Sequence, residues 1–150
     1  MCKRGKRVRR DKRGKGELYS VLFSLLAMIV RKRPYEDLIV WQEAHKLCQQ
    51  AFAIVEKFPR EQVHELCSQI RRSAYSIPMN IVEANMKRTK KNRLNFLNHS
   101  EASLEELDYQ FLLSRDLQYI TPEEFERLRL QIGKVGYLLE RFRSGIVLKK

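Results

Sequence analysis

Cysteine is scarce in this chain and spaced for neither of its usual frameworks. Cys2, Cys48 and Cys67 form no Cys-x-x-Cys pair, and an odd count of three leaves one over. That pattern excludes a disulfide scaffold and suits a reducing cytosol. There is no glycine-rich phosphate loop and no recognisable nucleophile motif, so the usual sequence signs of a nucleotide-dependent or covalent enzyme are missing. The longest apolar run, Leu18 to Val30, has 13 residues, whereas a bilayer span takes about 20. No strand pattern follows that run. Tryptophan occurs once, as Trp41.

Positive charge is what the chain has in plenty. The formal net charge is +12, yet twelve Lys/Arg against two acidic residues precede Pro34, and eighteen against sixteen follow from there. The sequence therefore divides into a basic arm, residues 1–33, and a nearly neutral domain, residues 34–150. Basic arms suit polyanions, because Lys and Arg release counterions from phosphates. Within the arm, Lys3 to Lys15 has no packing face. A basic stretch followed by an apolar one imitates a secretory signal, but Arg31-Lys32-Arg33 stands where a small-residue cleavage site should be. The expected reading is that Met28 is the natural first residue and that residues 1–27 are dispensable for folding.

From Tyr35 on, the apolar spacing is helical throughout. Helix 1 is expected over about Tyr35–Lys57, with Leu38, Trp41, Ala44, Cys48, Ala51, Phe52 and Val55 facing inward. On that stripe Trp41 would be a buried aromatic, worth about 3–5 kcal/mol on truncation to alanine. Phe58-Pro59 closes the helix, since a residue before proline avoids the helical region. Helix 2 is expected over about Arg60–Met86. Its inner positions, Val63, Leu66, Cys67, Ile70, Ala74, Ile77, Ile81 and Ala84, continue unbroken past Pro78. An interior proline costs roughly 3 kcal/mol, so packing must hold this helix together. Asn80, Glu83 or water would satisfy the Ala74 carbonyl that Pro78 frees.

Helix 3 is expected over about Asn92–Gln118, with Leu94, Leu97, Leu104, Leu107, Phe111 and Leu117 inward and Ser100 and Ser114 permitting a close neighbour. Thr121-Pro122-Glu123-Glu124 is a capping box that opens helix 4. The inner positions of helix 4, from Phe125 through Leu128, Ile132, Val135, Leu139 and Phe142 to Ile146, keep the left-handed coiled-coil period. Four such helices on short links predict an all-α, antiparallel, up-down-up-down four-helix bundle.

Tyr35-Glu36-Asp37-Leu38-x-Val40-Trp41-Gln42-x-Ala44, Phe58-Pro59 and Gln69-x-Arg71-Arg72-Ser73-Ala74-x-Ser76-Ile77-Pro78-x-Asn80-Ile81-x-Glu83 resemble the 23S rRNA intervening-sequence proteins, once called ribosomal-protein-like. The likeness runs from about Tyr35 to Ile146. It implies a four-helix bundle that assembles as a homopentamer, with nucleic-acid binding as its usual proposed role. Accessory proteins of diversity-generating retroelements are similar too, which implies, as an alternative, an adaptor that partners a reverse transcriptase. One departure stands out: Glu83-Ala84 replaces the family's Glu-Gly, and alanine should extend helix 2 where glycine would loosen it.

Two His-x-x-Cys pairs, His45/Cys48 and His64/Cys67, invite a metal reading. In an antiparallel hairpin the two histidines differ in height by about 13 Å, far beyond the ~2.0–2.3 Å reach of a shared zinc, so no metal or other cofactor is expected. Glu101, Glu105, Glu106 and Asp108, with His99 and Ser103 near them, should form a solvated face or one that pairs with a neighbouring subunit. No enzyme is expected. Lys87, Arg88, Lys90, Lys91 and Arg93 place five cations within seven residues at one end of the bundle, with Arg71 and Arg72 as possible additions. These seven are the candidate nucleic-acid contacts, made to phosphates and without sequence reading, because no aromatic interleaving suggests base stacking. Tyr109, Leu113, Leu130, Tyr137 and Leu138 lie outside the inner stripes and predict a homo-oligomeric interface. The sequence reading is thus a cytoplasmic, non-enzymatic nucleic-acid-binding bundle with no membrane partner and no small-molecule substrate.

Overall fold

The computed structural model describes residues 19–26, 33–59 and 65–148. The chain divides into two compact units, Met1–Arg33 and Pro34–Lys150. In the first, residues 19–26 are helical, and Tyr19, Val21, Leu22, Phe23, Leu25 and Leu26 are exposed. The basic run Lys3–Lys15 and Met28 lie outside the described residues, as do His64 and the expected first turn of helix 2. No helix among the described residues is long and apolar enough to cross a membrane.

Among its described residues the second unit opens with a 3-10 turn, Pro34–Asp37, and continues through four helices: α1 (Ile39–Val55), α2 (Leu66–Met86), α3 (Lys90–Asp116) and α4 (Pro122–Leu148). Each helix packs on its chain neighbours, and α1 closes the circle on α4. Side-chain partners step forward along α3 (Arg93, Ser100, Gln110) as they step back along α2 (Ala84, Ile77, Ser73). The α1–α4 pairs run oppositely as well, Glu43 to Gln131 and Lys57 to Glu124. The architecture is the expected antiparallel four-helix bundle.

Local chemistry sets the helix ends. Pro34 fixes φ for a tight first turn, which the Leu38 amide closes by donating to the Tyr35 carbonyl at 3.0 Å. Leu38 itself is extended, with ψ 116°. The Gln42 side chain then donates to the Glu36 carbonyl at 2.8 Å, taking the acceptor a continuous helix would have used. Helix 1 therefore begins at Ile39 rather than Tyr35. Its buried stripe is Val40, Ala44, Leu47, Ala51, Ile54 and Val55, rotated from the expected one. Trp41 and Cys48 are only half-buried and Phe52 is exposed. The apolar positions of α1 spread over more than one face because the helix touches both α2 and α4. Its aromatics lie on the α2 flank, where the Arg71 guanidinium sits 5.8 Å over the Phe52 ring. The full cost expected for truncating a buried Trp41 no longer applies.

Helix α2 runs unbroken through Pro78, which is buried. Hydroxyl and amide side chains secure the backbone around it. Asn80 Nδ2 donates to the Ser76 carbonyl at 2.8 Å, and Ser100 on α3 donates to the Ile77 carbonyl at 3.0 Å. Asn80 thus serves Ser76, not Ala74. Ala84 is fully buried and α2 continues to Met86, the extension expected of alanine in place of glycine. Ser73, Ser100, Gln110 and Ser114 are all buried along the α2–α3 side. Gln110 Nε2 donates to Ser73 Oγ at 3.1 Å, which links the helices through this polar seam, while Gln110 Oε1 is buried with no partner among the described residues.

Helix α3 starts at Lys90, with the Thr89 hydroxyl accepting from the Asn92 amide at 3.3 Å. That N-cap pulls the start two residues upstream of the expected Asn92. Leu94 is half-buried and Leu117 exposed, outside the helix. The capping box of α4 forms as expected: the Thr121 amide donates to Glu124 Oε2 at 3.0 Å, and the Glu124 amide to Thr121 Oγ1 at 3.2 Å. Of the α4 positions expected inside, only Phe142 is half-buried rather than buried.

Two carboxylates tie α1 to α4. The hydrogen bond from Lys134, and then that from Gln131, holds the Glu43 carboxyl below its usual range. The hydrogen bond from Lys57, and then that from the Thr121 amide, does the same for Glu124. A depressed native value means stability that is complete above the unfolded Glu range, about 4.3, and lost as pH falls through the native value. The midpoint of urea unfolding should therefore fall between about pH 5 and pH 3, and less so in a Glu43→Gln/Glu124→Gln variant. An equal fall in that variant would show that other carboxylates carry the effect.

Candidate nucleic-acid interface

The seven candidate cations are spread by the fold and partly committed. Lys87 is the extended residue after α2. Its ammonium pairs with Glu83 at 2.9 Å and lies 4.9 Å over the Phe96 ring. Lys90 belongs to the first turn of α3 and donates to the Val147 carbonyl near the end of α4. Positive charge at a helix C-terminus is favourable, so Lys90 ties the last turn of α4 to the start of α3. Arg93 is half-buried: its Nε donates to the Ala84 carbonyl at 3.2 Å, and its guanidinium lies 6.0 Å from the Phe142 ring centre. Three of the five clustered cations thus knit helix ends together.

Arg88 and Lys91 are exposed, with no side-chain hydrogen bond or ion pair to another described residue. The link between α2 and α3 is only residues 87–89, shorter than the sequence suggested, because α3 begins at Lys90. Arg71 and Arg72 are not brought to this group. They sit sixteen residues before Lys87 and Arg88 on the α2 side, about 24 Å along the axis. Arg72 is exposed, and Arg71 lies against Phe52.

Other candidates resolve into structural roles. Burial pushes the thiols of Cys48 and Cys67 up, which disfavours the thiolate a metal or nucleophile needs. Cys67 Sγ instead donates to the Val55 carbonyl at 3.8 Å. Among the described residues, no three His, Cys, Asp or Glu side chains converge. On α3, Glu101 pairs with Arg143, Ser103 donates to Ser76 Oγ at 2.8 Å, and His99 is exposed. A cavity of about 210 Å³ lies between α1 and α4, floored by Ala53, Ile54 and Leu128. It is smaller than the roughly 300–1,000 Å³ of ligand pockets.

Two features escaped the sequence reading. Tyr35, Trp41 and His45 form an aromatic array: Trp41 and His45 stack at 5.0 Å and 7°, and Tyr35 meets Trp41 at 5.1 Å. The four-residue step from Trp41 to His45 was the available signal; Tyr35 joins only because of the 3-10 turn. Second, Tyr75, Met79 and Met86 are exposed along α2, at steps of four and seven residues that keep them on one face.

The comparisons with known proteins agree with the fold. The sequence pattern of the 23S rRNA-intervening sequence protein family matches residues 36–141. No curated protein matches. Among solved structures, the chain is similar to a protein of unknown function from the S23 ribosomal protein family of Bacteroides thetaiotaomicron. That likeness has a TM-score of 0.63 at 24% identity, over 70% of this chain and 98% of the other. Because the family pattern spans α1 to α3 and nearly all the buried positions of α4, the chain belongs to the 23S rRNA-intervening sequence protein family.

Proposed function

We propose that this protein binds nucleic acid, as RNA associated with the ribosomal RNA context of its family, and does so non-enzymatically as a cytoplasmic homo-oligomer. The observation that carries the reading is the pair Arg88 and Lys91. Both are exposed, Arg88 in the α2–α3 link and Lys91 in the first turn of α3, while neighbouring Lys87, Lys90 and Arg93 fix these helix ends against α3, α4 and α2. Free cations on a rigid mount suit phosphate contact. Repeated around a ring of five subunits, as the family resemblance implies, they become a multivalent surface.

Arg88→Ser/Lys91→Ser should weaken RNA and DNA binding alike. The slope of log K against log salt should flatten by about 0.7–0.9 for each phosphate no longer neutralised. Adding Lys87→Ser and Lys90→Ser should weaken binding further and also loosen the helix ends. Filter binding between about 50 and 200 mM salt reads this out, with a chain beginning at Met28 so that the basic arm does not contribute. No binding by that chain at the lower salt would refute the reading. The second reading, a protein–protein adaptor, is favoured by the exposed Tyr75, Met79 and Met86 on α2 and would then take its place.

A further inference from the structure

The Tyr35–Trp41–His45 array shares an end of the bundle with Arg88 and Lys91. Val55 meets Cys67, and Phe52 meets Arg71. Running α1 back and α2 forward from these contacts places Trp41 level with about Ile81 and His45 with about Ile77, roughly 10 Å and 16 Å short of Arg88 along the axis. The 3-10 turn that carries Tyr35 packs against α2 as well as α1. His45 is exposed, and its one ring contact among the described residues is the parallel stack on Trp41. Trp41, half-buried, backs that ring, while Tyr35 braces Trp41 at an interplanar angle of 59°. An exposed, parallel, pre-stacked ring pair held on a helix needs no ordering before a third ring adds to it.

We infer that this array is a stacking platform for unpaired bases, so that the nucleic acid taken is single-stranded. This rests on the nucleic-acid reading above and narrows it. The division of labour follows from charge. Glu36 lies in the turn beside the array and repels phosphate, whereas the flat face of a base carries no net charge. The backbone would follow Arg88 and Lys91, with a base turned onto His45. Single-strand binders combine such a basic track with aromatic faces, each stacked base being worth about 1–3 kcal/mol. In a duplex the base faces are already stacked on one another and are not offered.

Trp41 is the one tryptophan of the chain, so its fluorescence reports on this site and not on the arm. With the full chain, a 15-nucleotide oligo-U should quench Trp41 emission, and a duplex of equal length should not. His45→Ala should lower affinity for the single strand about 5- to 150-fold, the range that corresponds to one stacked base, and leave duplex affinity unchanged. His45→Phe should retain the preference. Arg88→Ser/Lys91→Ser should weaken both strands without removing the preference. Far-UV circular dichroism checks that the exposed His45 position tolerates each change. Equal affinity for both strands with Trp41 emission unmoved overturns the platform; because the basic arm of the full chain also binds polyanions, the phosphate reading then stands only where Arg88→Ser/Lys91→Ser still weakens both strands. Binding of neither strand removes both readings.

Discussion

Phe111→Ala is expected to cost about 3–5 kcal/mol of folding stability, the largest effect of any single truncation proposed for this chain. Phe111 is fully buried in the inner stripe of α3, between Leu107 and Ser114. Truncation removes the apolar packing of a whole ring and leaves a cavity that helices pinned by the Gln110–Ser73 hydrogen bond cannot collapse to fill. Tyr109, two residues earlier, is 64% exposed. Tyr109→Ala should change the stability of a subunit by less than about 0.5 kcal/mol. Urea unfolding at several protein concentrations separates the two effects, since association adds a concentration-dependent term. A loss under about 1 kcal/mol for Phe111→Ala, with unchanged m-value, would refute the assigned α3 register.

The contrast between these neighbours shows which parts of the molecule were legible in the sequence. The inner stripes of helices α2 and α4 keep one unbroken helical period, and all the inner positions expected for α2 within the described residues are buried or half-buried. In α1 the apolar residues occupy two flanks, so periodicity alone could not choose between the Trp41–Cys48–Phe52 line and the Val40–Leu47–Ile54 line. The end of α3 was obscured for another reason. Gln118 adopts a left-handed φ of 61°, and the Tyr119 amide donates to the Ser114 carbonyl at 2.9 Å, a helix stop that glycine usually signals. With glutamine there, no letter marked the ending.

The basic cluster was legible as a group but not as a division of roles. Five cations in seven residues look alike in sequence, and only packing shows that Lys90 closes onto α4 and Arg93 onto α2 while Arg88 and Lys91 stay free. The aromatic array was illegible for a similar reason. Its third ring comes from a turn whose geometry depends on Leu38 leaving the helix.

Leu130→Asp/Tyr137→Asp should dissociate the assembled protein into folded subunits. Leu130 and Tyr137 are 75% and 65% exposed on α4, at the seven-residue spacing of one face. Leu113 and Leu138, also expected outside the core, are half-buried, and Leu138 packs against it. Between the two exposed residues lies Gly133, where an added Cβ would meet nothing of its own chain. A glycine inside an exposed helix costs roughly 1 kcal/mol relative to alanine, and nothing in the subunit's own packing requires it. A notch flanked by two apolar side chains suits close approach by another subunit. Tyr75 and Met79 on α2 supply a second, different apolar face, and unlike faces are what a head-to-tail ring brings together. Central interface anchors are worth about 2 kcal/mol or more each, so removing two and burying two charges should weaken association about a thousandfold or more. Sedimentation velocity should show a ring-sized species for the natural chain and monomers for the variant, with equal helicity. A natural chain that sediments as a monomer at micromolar concentration would overturn the assembly. The Arg88 and Lys91 pairs would then act singly, and salt-sensitive binding should weaken to that of one isolated pair.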